Sequence, residues 1–191
     1  MPTAKVLSKS FTQFNKIMYH GTNSAHYKSL ISGVDLSSCK KRTDFGQGFY
    51  LTTNFNQASK HAENRTFKGK PLVFEFDLNL SELKKFQGKI FPRMTRDWAE
   101  FVYRNRSFQN FSTHTYDFVF GGVADGQIED LIDQIDALPL SGAIIDYFYE
   151  KIANYATYDQ LSVHNQLLFD KEIIRVTNVF EAHNKGKEYL E

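Results

Sequence analysis

Residues 72–78 constrain the fold more than any other stretch, because their large apolar side chains recur at every second position. Successive side chains of a β-strand point to opposite faces, so this period places one apolar row on a single face. The row consists of Leu72, Phe74, Phe76 and Leu78. The pattern therefore predicts a strand that buries one face in the core.

Two helices are indicated by their capping residues. Asn54 stands three positions before Gln57, in the spacing of a capping box, and an apolar stripe follows at Phe55, Ala58 and Ala62. Thr95 can cap a second helix. One side of that helix carries Trp98, Phe101, Val102 and Asn105.

The remaining elements are weaker but regular. Strands are predicted at residues 16–19, 49–53, 116–120, 160–164 and 173–180, the first ending at His20-Gly21 and the third at Gly121-Gly122. A helix capped by Ser24 and ended by Gly33 is expected to have an apolar face of Tyr27, Leu30 and Ile31. Two amphipathic helices follow residue 126, with Pro139 and Ser141 between them.

Strands at both ends with helices between them indicate the α+β class. No internal repeat or linker divides the 191 residues, so a single domain over residues 1–191 is expected. Within it, residues 126–153 are interpreted as a helical insertion. Residues 181–191 are expected to form a polar tail that frays.

Charge and cysteine content narrow the functional classes. Lys+Arg 23 against Asp+Glu 22 gives a net charge of +1, which provides no overall field to attract nucleic acid or an anionic membrane. The single Cys39 excludes an internal disulfide, and no apolar stretch approaches about 18 residues. A cytoplasmic location without membrane binding is expected. The six histidines lack the spacings of metal sites, so no metal is predicted.

Two short segments place polar side chains beside glycines at strand ends. They are Tyr19-His20-Gly21-Thr22 and Gly46-Gln47-Gly48-Phe49-Tyr50. Glycines in such places let a ligand approach the backbone. Taken singly, the first could be a strand that ends in a turn with a structural histidine, and the second a flexible turn.

Together, the order and spacing of these segments resemble the ADP-ribosyltransferase superfamily, in the branch shared by diphtheria-type toxins and poly(ADP-ribose) polymerases. Its signature is a His, a Tyr and a Glu on three strands, which His20 and Tyr50 match in part. A wider pattern consists of Asp44-Phe45-Gly46 through Tyr50-Leu51-Thr52, Trp98 to Arg106, Tyr116-Asp117 through Val123-Ala124-Asp125, and the Gln160 strand. This pattern is similar to a bacterial family catalogued as domain of unknown function 3990. The resemblance implies two small, mainly antiparallel sheets packed around an NAD cleft, with peripheral helices.

The third signature position is occupied by Gln160 instead of Glu. On a strand, Leu161 and Val163 would face the core while Gln160 faces the cleft and Asp159 points away. A glutamine can hydrogen-bond a hydroxyl but carries no charge. Asp44 or Asp125 could supply the missing carboxylate.

The resemblance also implies roles for the cleft residues. His20 would hydrogen-bond the adenosine-side ribose of NAD, the Gly21 backbone would hold the nicotinamide carboxamide, and Tyr50 would stack on the nicotinamide ring. Gln160 would hold the 2′-hydroxyl of the reacting ribose. The other residues expected to bind NAD are Tyr19, Thr22, Asp44, Gly46, Gly48 and Phe49.

The resemblance implies an NAD-dependent mono-ADP-ribosyltransferase that modifies a macromolecular acceptor, and the near-neutral charge slightly favours protein over nucleic acid. Such an enzyme suits a phage-defence factor, or the toxin of a toxin–antitoxin pair with an antitoxin protein as partner. Two alternatives stay open: an NAD or ADP-ribose-binding module that lost turnover with the Glu, and an NAD glycohydrolase with water as acceptor. An unrelated α+β domain is the remaining possibility.

Overall fold

The structure is a computed structural model that describes residues 16–67, 69–124, 128–152 and 158–189. Its strands are β1 (Ile17–Asn23), β2 (Phe49–Leu51), β3 (Pro71–Leu78), β4 (Gly88–Ile90), β5 (Phe118–Gly122), β6 (Asp159–Val163), β7 (Ile174–Glu181) and β8 (Asn184–Glu188). Its helices are α1 (Tyr27–Ser32), α2 (Phe55–Asn64), α3 (Leu80–Leu83), α4 (Arg96–Arg106), α5 (Ile128–Asp136), α6 (Gly142–Ile152) and α7 (Leu167–Asp170). Short 3₁₀ turns occupy Ser24–His26 and Leu36–Ser38.

The strands form two small sheets. The first has the order β1-β3-β7-β8 and the second the order β2-β6-β5-β4. Neighbouring strands are antiparallel except β4 and β5, which are parallel. The expectation of an α+β fold with two small, mostly antiparallel sheets and several helices is therefore confirmed.

The sheets face each other across the main core. The first sheet contributes Met18, Phe74 and Phe76 to it, and the second contributes Leu51, Phe118, Leu161 and Val163. α2 covers the outer face of the first sheet, where Ala58 packs beside Tyr19 and Val73. α4, α5 and α6 cover the outer face of the second sheet through a core built around Trp98, Val119, Ile132 and Phe148.

The patterns with the clearest chemistry are confirmed. All four apolar residues of the β3 row are fully buried. The Asn54 side chain accepts a hydrogen bond from the Gln57 N–H at the start of α2, and Thr95 accepts one from the Trp98 N–H at the start of α4. Gly33 ends α1 with a φ of 138°.

Several boundaries differ from the sequence expectations. β1 continues past His20-Gly21 to Asn23, and Asn23 rather than Ser24 caps the turn that follows. β5 begins at Phe118 and includes both glycines, because Gly121 and Gly122 pair with β6. α1 has no buried residue, and Ile31 is half exposed.

The expected frayed tail is wrong for residues 184–188. These residues form β8, which pairs with β7 through backbone hydrogen bonds. All five are exposed, so no apolar face supports the strand. Within the described residues, no helix combines the length and apolar character needed to cross a membrane.

Candidate functional site

A cavity opens where β1 and β2 part. Tyr19 of β1 and Thr52, the residue that follows β2, exchange backbone hydrogen bonds of 2.8 and 2.9 Å in an antiparallel bridge. Continuing that register would set Gly21 opposite Tyr50, but the strands separate there. The cavity between them has a volume of about 670 Å³ and is bordered by both residues. This size lies within the range of small-molecule sites.

Gly21 offers unpaired backbone groups to this cavity. Backbone N–H and C=O groups alternate between the two edges of a strand. The Ser24 N–H bonds to Lys70 on the β3 side, whereas Tyr19 bonds to Thr52 on the cavity side. Gly21 is two residues from Tyr19, so its N–H and C=O also point to the cavity side. No described side chain occupies either group.

His20 links the two strands and is fixed in one tautomer. Its Nδ1 lies 2.8 Å from the carbonyl oxygen of Tyr50, and its ring stacks on Phe49 at a centroid distance of 4.3 Å. Burial lowers the pKa of His20 to about 4, so the imidazole is neutral at pH 7. Because a carbonyl oxygen only accepts, Nδ1 carries the proton and Nε2 is left as an acceptor.

Tyr50 is held by its hydroxyl to the turn that precedes β2. The hydroxyl accepts a hydrogen bond from the Phe45 N–H at 2.9 Å and donates one to the Gly46 carbonyl at 2.8 Å. Thr43 Oγ1 lies 2.7 Å from the same oxygen. Burial raises the pKa of Tyr50 well above its usual value, so the hydroxyl remains a donor. The ring of this residue, which borders the cavity, is thereby held in one position.

Asp44 forms a buried cluster with Gln160 and Arg106. Asp44 is 3% exposed and Gln160 is 8% exposed. The carboxylate accepts hydrogen bonds from Gln160 Nε2 at 2.6 Å, from Arg106 Nε at 2.6 Å and from the Ala124 N–H at 2.9 Å. Residues from four separate segments therefore meet at one carboxylate.

Cationic and imidazole side chains supply another part of the cavity lining. They are His26, Lys40, His61, Arg65 and Arg106. His61 lies in the last turn of α2, and Arg65 is the residue that caps the end of this helix, four positions later. Burial and the nearby charge of Arg65 lower the pKa of His61. Carboxylates lie close to two of these cations, since Arg106 is paired with Asp44 and Lys40 Nζ lies 3.9 Å from Glu129 Oε1.

The sequence from residue 16 to residue 173 matches the family model described as "Protein of unknown function (DUF3990)". The match covers most of the 191 residues. The chain belongs to the DUF3990 family. A search of curated proteins found no match. The DUF3990 match includes every described residue that borders the cavity, from Tyr19 to Gln160.

The structure brings together most of the predicted site residues of this DUF3990 chain. Those that border the cavity are Tyr19, His20, Gly21, Thr22, Asp44, Gly48, Phe49, Tyr50 and Gln160. Gly46 does not border the cavity, and its carbonyl oxygen accepts a hydrogen bond from the Tyr50 hydroxyl. The Tyr19 ring packs against Phe55, so its backbone is the part nearest the cavity. Asp159 binds Thr53 instead of the cavity, as expected, and Asp125 lies outside the described residues.

Sequence reasoning missed the side chains that hold the turn in place. His114 Nε2 lies 2.7 Å from the Phe45 carbonyl oxygen, and His164 Nδ1 lies 2.8 Å from the Gln47 carbonyl oxygen. The two imidazoles contact each other edge to face at 4.6 Å. These contacts span 69 and 117 residues, so no local pattern could have indicated them. The described residues contain no group of three or more His, Cys, Asp or Glu side chains able to hold a metal ion.

Proposed function

We propose that this DUF3990 chain is an NAD-dependent mono-ADP-ribosyltransferase with an ADP-ribosyltransferase-like fold. In the reaction, the bond between the nicotinamide nitrogen and ribose C1′ breaks, and its electron pair leaves with neutral nicotinamide. A lone pair on the acceptor forms the new bond to C1′, and the acceptor proton goes to solvent. Because the leaving group is cationic in NAD, the chain needs no strong general acid.

The free backbone edge at Gly21 is the observation that carries this proposal. A carboxamide has one donor group and one acceptor, which is the complement of a strand N–H and C=O that point the same way. Tyr50 borders the same cavity, and in this proposal its ring is the adjacent wall. A cationic ring on such a wall is stabilised by about 0.5 to 2 kcal/mol. The edge and the wall therefore suit nicotinamide.

Other parts of the cavity match the rest of the dinucleotide. Nε2 of neutral His20 can accept a hydrogen bond from a ribose hydroxyl. Lys40 and Arg65 can neutralise a diphosphate. The two sheets are joined at the Tyr19–Thr52 bridge and separate beyond it, which agrees with a cleft between small sheets.

The proposal is tested by incubating the purified chain with labelled NAD and a cell lysate. Free nicotinamide is measured, and the products are digested separately with protease and with nuclease. We expect label that protease releases, since protein is the favoured acceptor. Absence of NAD binding by calorimetry, together with absence of label in both pools, would refute the proposal.

Tyr50 provides a matched pair of variants. Tyr50→Ala removes the aromatic wall and should weaken NAD binding about 2- to 30-fold, which corresponds to about 0.5 to 2 kcal/mol. Tyr50→Phe keeps the ring and should bind more tightly than Tyr50→Ala. Tyr147→Ala is the control, because Tyr147 is 41% exposed on α6 and does not border the cavity.

A binding module without turnover is favoured by one observation, the uncharged Gln160 beside an Asp44 that is paired with Arg106. It predicts calorimetric NAD binding with no nicotinamide release. A glycohydrolase predicts release of nicotinamide and free ADP-ribose in equal amounts, with no labelled macromolecule. For a toxin of a toxin–antitoxin pair or a phage-defence factor, induced expression in a bacterial host should arrest growth, and His20→Ala should relieve the arrest.

A further inference from the structure

The Gln160 amide is held in one orientation by two acceptors. Its Nε2 donates to Asp44 Oδ2 at 2.6 Å and lies 3.3 Å from the Gly122 carbonyl oxygen. Carboxylate and carbonyl oxygens only accept, so the flipped amide would set oxygen against oxygen on both sides. Oε1 is therefore the atom left for a ligand. No residue in the described parts of the chain donates a hydrogen bond to it, and Gln160 borders the cavity.

The Asp44 carboxylate is itself held in place by two further hydrogen bonds. Arg106 Nε donates to Oδ1 and the Ala124 N–H donates to Oδ2, so the buried carboxylate is satisfied from two further directions. An amide that donates to a carboxylate is polarised, and its oxygen becomes a stronger acceptor. The carboxylate thus affects the cavity through Oε1 of Gln160.

We propose that Asp44 is a positioning residue and that Asp44 and Gln160 together take the place of a single carboxylate. Gln160 Oε1 accepts a hydrogen bond from a ribose hydroxyl of the dinucleotide, while Asp44 fixes the amide and makes its oxygen more negative. This inference rests on the proposed function, because the hydroxyl belongs to that substrate.

An exchange of the two side chains tests the pair. Asp44→Asn removes the charge and leaves two amides in contact. The double variant Asp44→Asn with Gln160→Glu again has one carboxylate and one amide, with the carboxylate now bordering the cavity. We expect Asp44→Asn to lower kcat for nicotinamide release about 100- to 1000-fold. The kcat of the double variant should be at least about tenfold higher than that of Asp44→Asn, with little change in KM.

A second readout requires no NAD. In Gln160→Glu, two carboxylates would stand near the 2.6 Å separation of the present hydrogen bond, and both cannot be ionised. The other described charged or titratable groups around the pair are Arg106, which pairs with Asp44, Glu129, 4.0 Å from Arg106, and Tyr50. One carboxyl pKa of the folded variant should therefore rise above its unfolded value.

The raised carboxyl pKa makes the stability of Gln160→Glu depend on pH. The folded Gln160→Glu variant binds more protons than its unfolded chain, so its stability falls as pH rises from about 4 toward 8. Relative to the wild type, its melting temperature should drop by about 5 °C over that range. The double variant should follow the wild-type curve. A Gln160→Glu variant that follows the wild type at every pH would show that the Asp44 contact is absent, and the inference would fail.

Asp117→Asn is the matched control. Asp117 also accepts from a side-chain amide, Asn165 Nδ2 at 2.7 Å, and from a backbone N–H, that of Gln87, but it does not border the cavity. Its substitution should lower stability and leave kcat unchanged. If the wild type neither binds nor cleaves NAD, the proposed function fails. If it does both and the double variant is no faster than Asp44→Asn, the positioning role alone fails.

Discussion

Gly21→Ala should destabilise the fold even when no ligand is bound. A Cβ at Gly21 would lie 1.9 Å from the Ala58 carbonyl oxygen and 3.0 Å from the Ala62 backbone nitrogen. Ordinary van der Waals contact begins near 3.4 Å, so α2 would have to retreat by about 1.5 Å. The obstacle is helix backbone, which cannot rotate away as a flexible side chain can.

The size of the stability loss depends on how tightly α2 packs against the first sheet. Ala58 is 2% exposed and Ala62 is fully buried against the first sheet, and Asn54 caps the helix start. Overpacking of a close-packed site costs about 1 to 3 kcal/mol, and this site belongs at the upper end. In a chain of this length, 3 kcal/mol lowers the melting temperature by about 6 to 12 °C.

Thermal unfolding followed by circular dichroism measures this loss, with Gly142→Ala as the control. A Cβ at Gly142 meets nothing closer than Arg96 Nη2 at 3.4 Å, so that variant should melt within about 2 °C of the wild type or slightly above it. A Gly21→Ala chain that melts with the wild type would refute the packing argument. Loss of NAD binding in a destabilised Gly21→Ala chain would not by itself identify Gly21 as a ligand residue.

Two further predictions concern pH and loop stability. Burial lowers the pKa of His20 to about 4 from 6.5, so the folded chain binds fewer protons and His20 should contribute about 3 kcal/mol to the loss of stability as pH drops from 6.5 to 4. Urea unfolding at several pH values measures this slope, and His20→Gln should remove the His20 share while the share of His164, whose pKa burial also lowers to about 4, is kept; an unchanged slope contradicts the assignment. Asp136 accepts hydrogen bonds from Tyr103 and Ser107, so Asp136→Asn should cost about 2 kcal/mol in the same assay, and a loss below 0.5 kcal/mol would contradict it.

The sequence predicted the longer elements in which one face meets the core. It missed α3 and α7, which bury Leu83 and Leu168 but have four residues each, too few to show a period. β3 and the capped helices α2 and α4 carry apolar residues at the period of their own backbone, and that period is local information. β8 carries none, because Asn184–Glu188 is exposed along its whole length and is held by backbone bonds to β7. Periodicity cannot detect such a strand, since its side chains do not decide its position.

The site residues also divide into those that a local motif reveals and those whose contacts depend on the whole fold. His20, Gly21 and Tyr50 could be found because they lie in short motifs beside glycines. The contact between Asp44 and Gln160 spans 116 residues and depends on β6 lying between β2 and β5. Sheet order is a property of the whole chain, so the sequence indicated both residues without indicating that they touch.

The wall around Tyr50 is built before any ligand arrives. Its turn is fastened from outside by His114 at the Phe45 carbonyl and by His164 at the Gln47 carbonyl, and from inside by the Tyr50 hydroxyl. Burial lowers the pKa of both histidines, that of His164 to about 4, so these ties persist at neutral pH. A ligand that stacks on Tyr50 therefore does not have to order the turn. The turn loses its conformational entropy when the chain folds, so binding does not incur that loss.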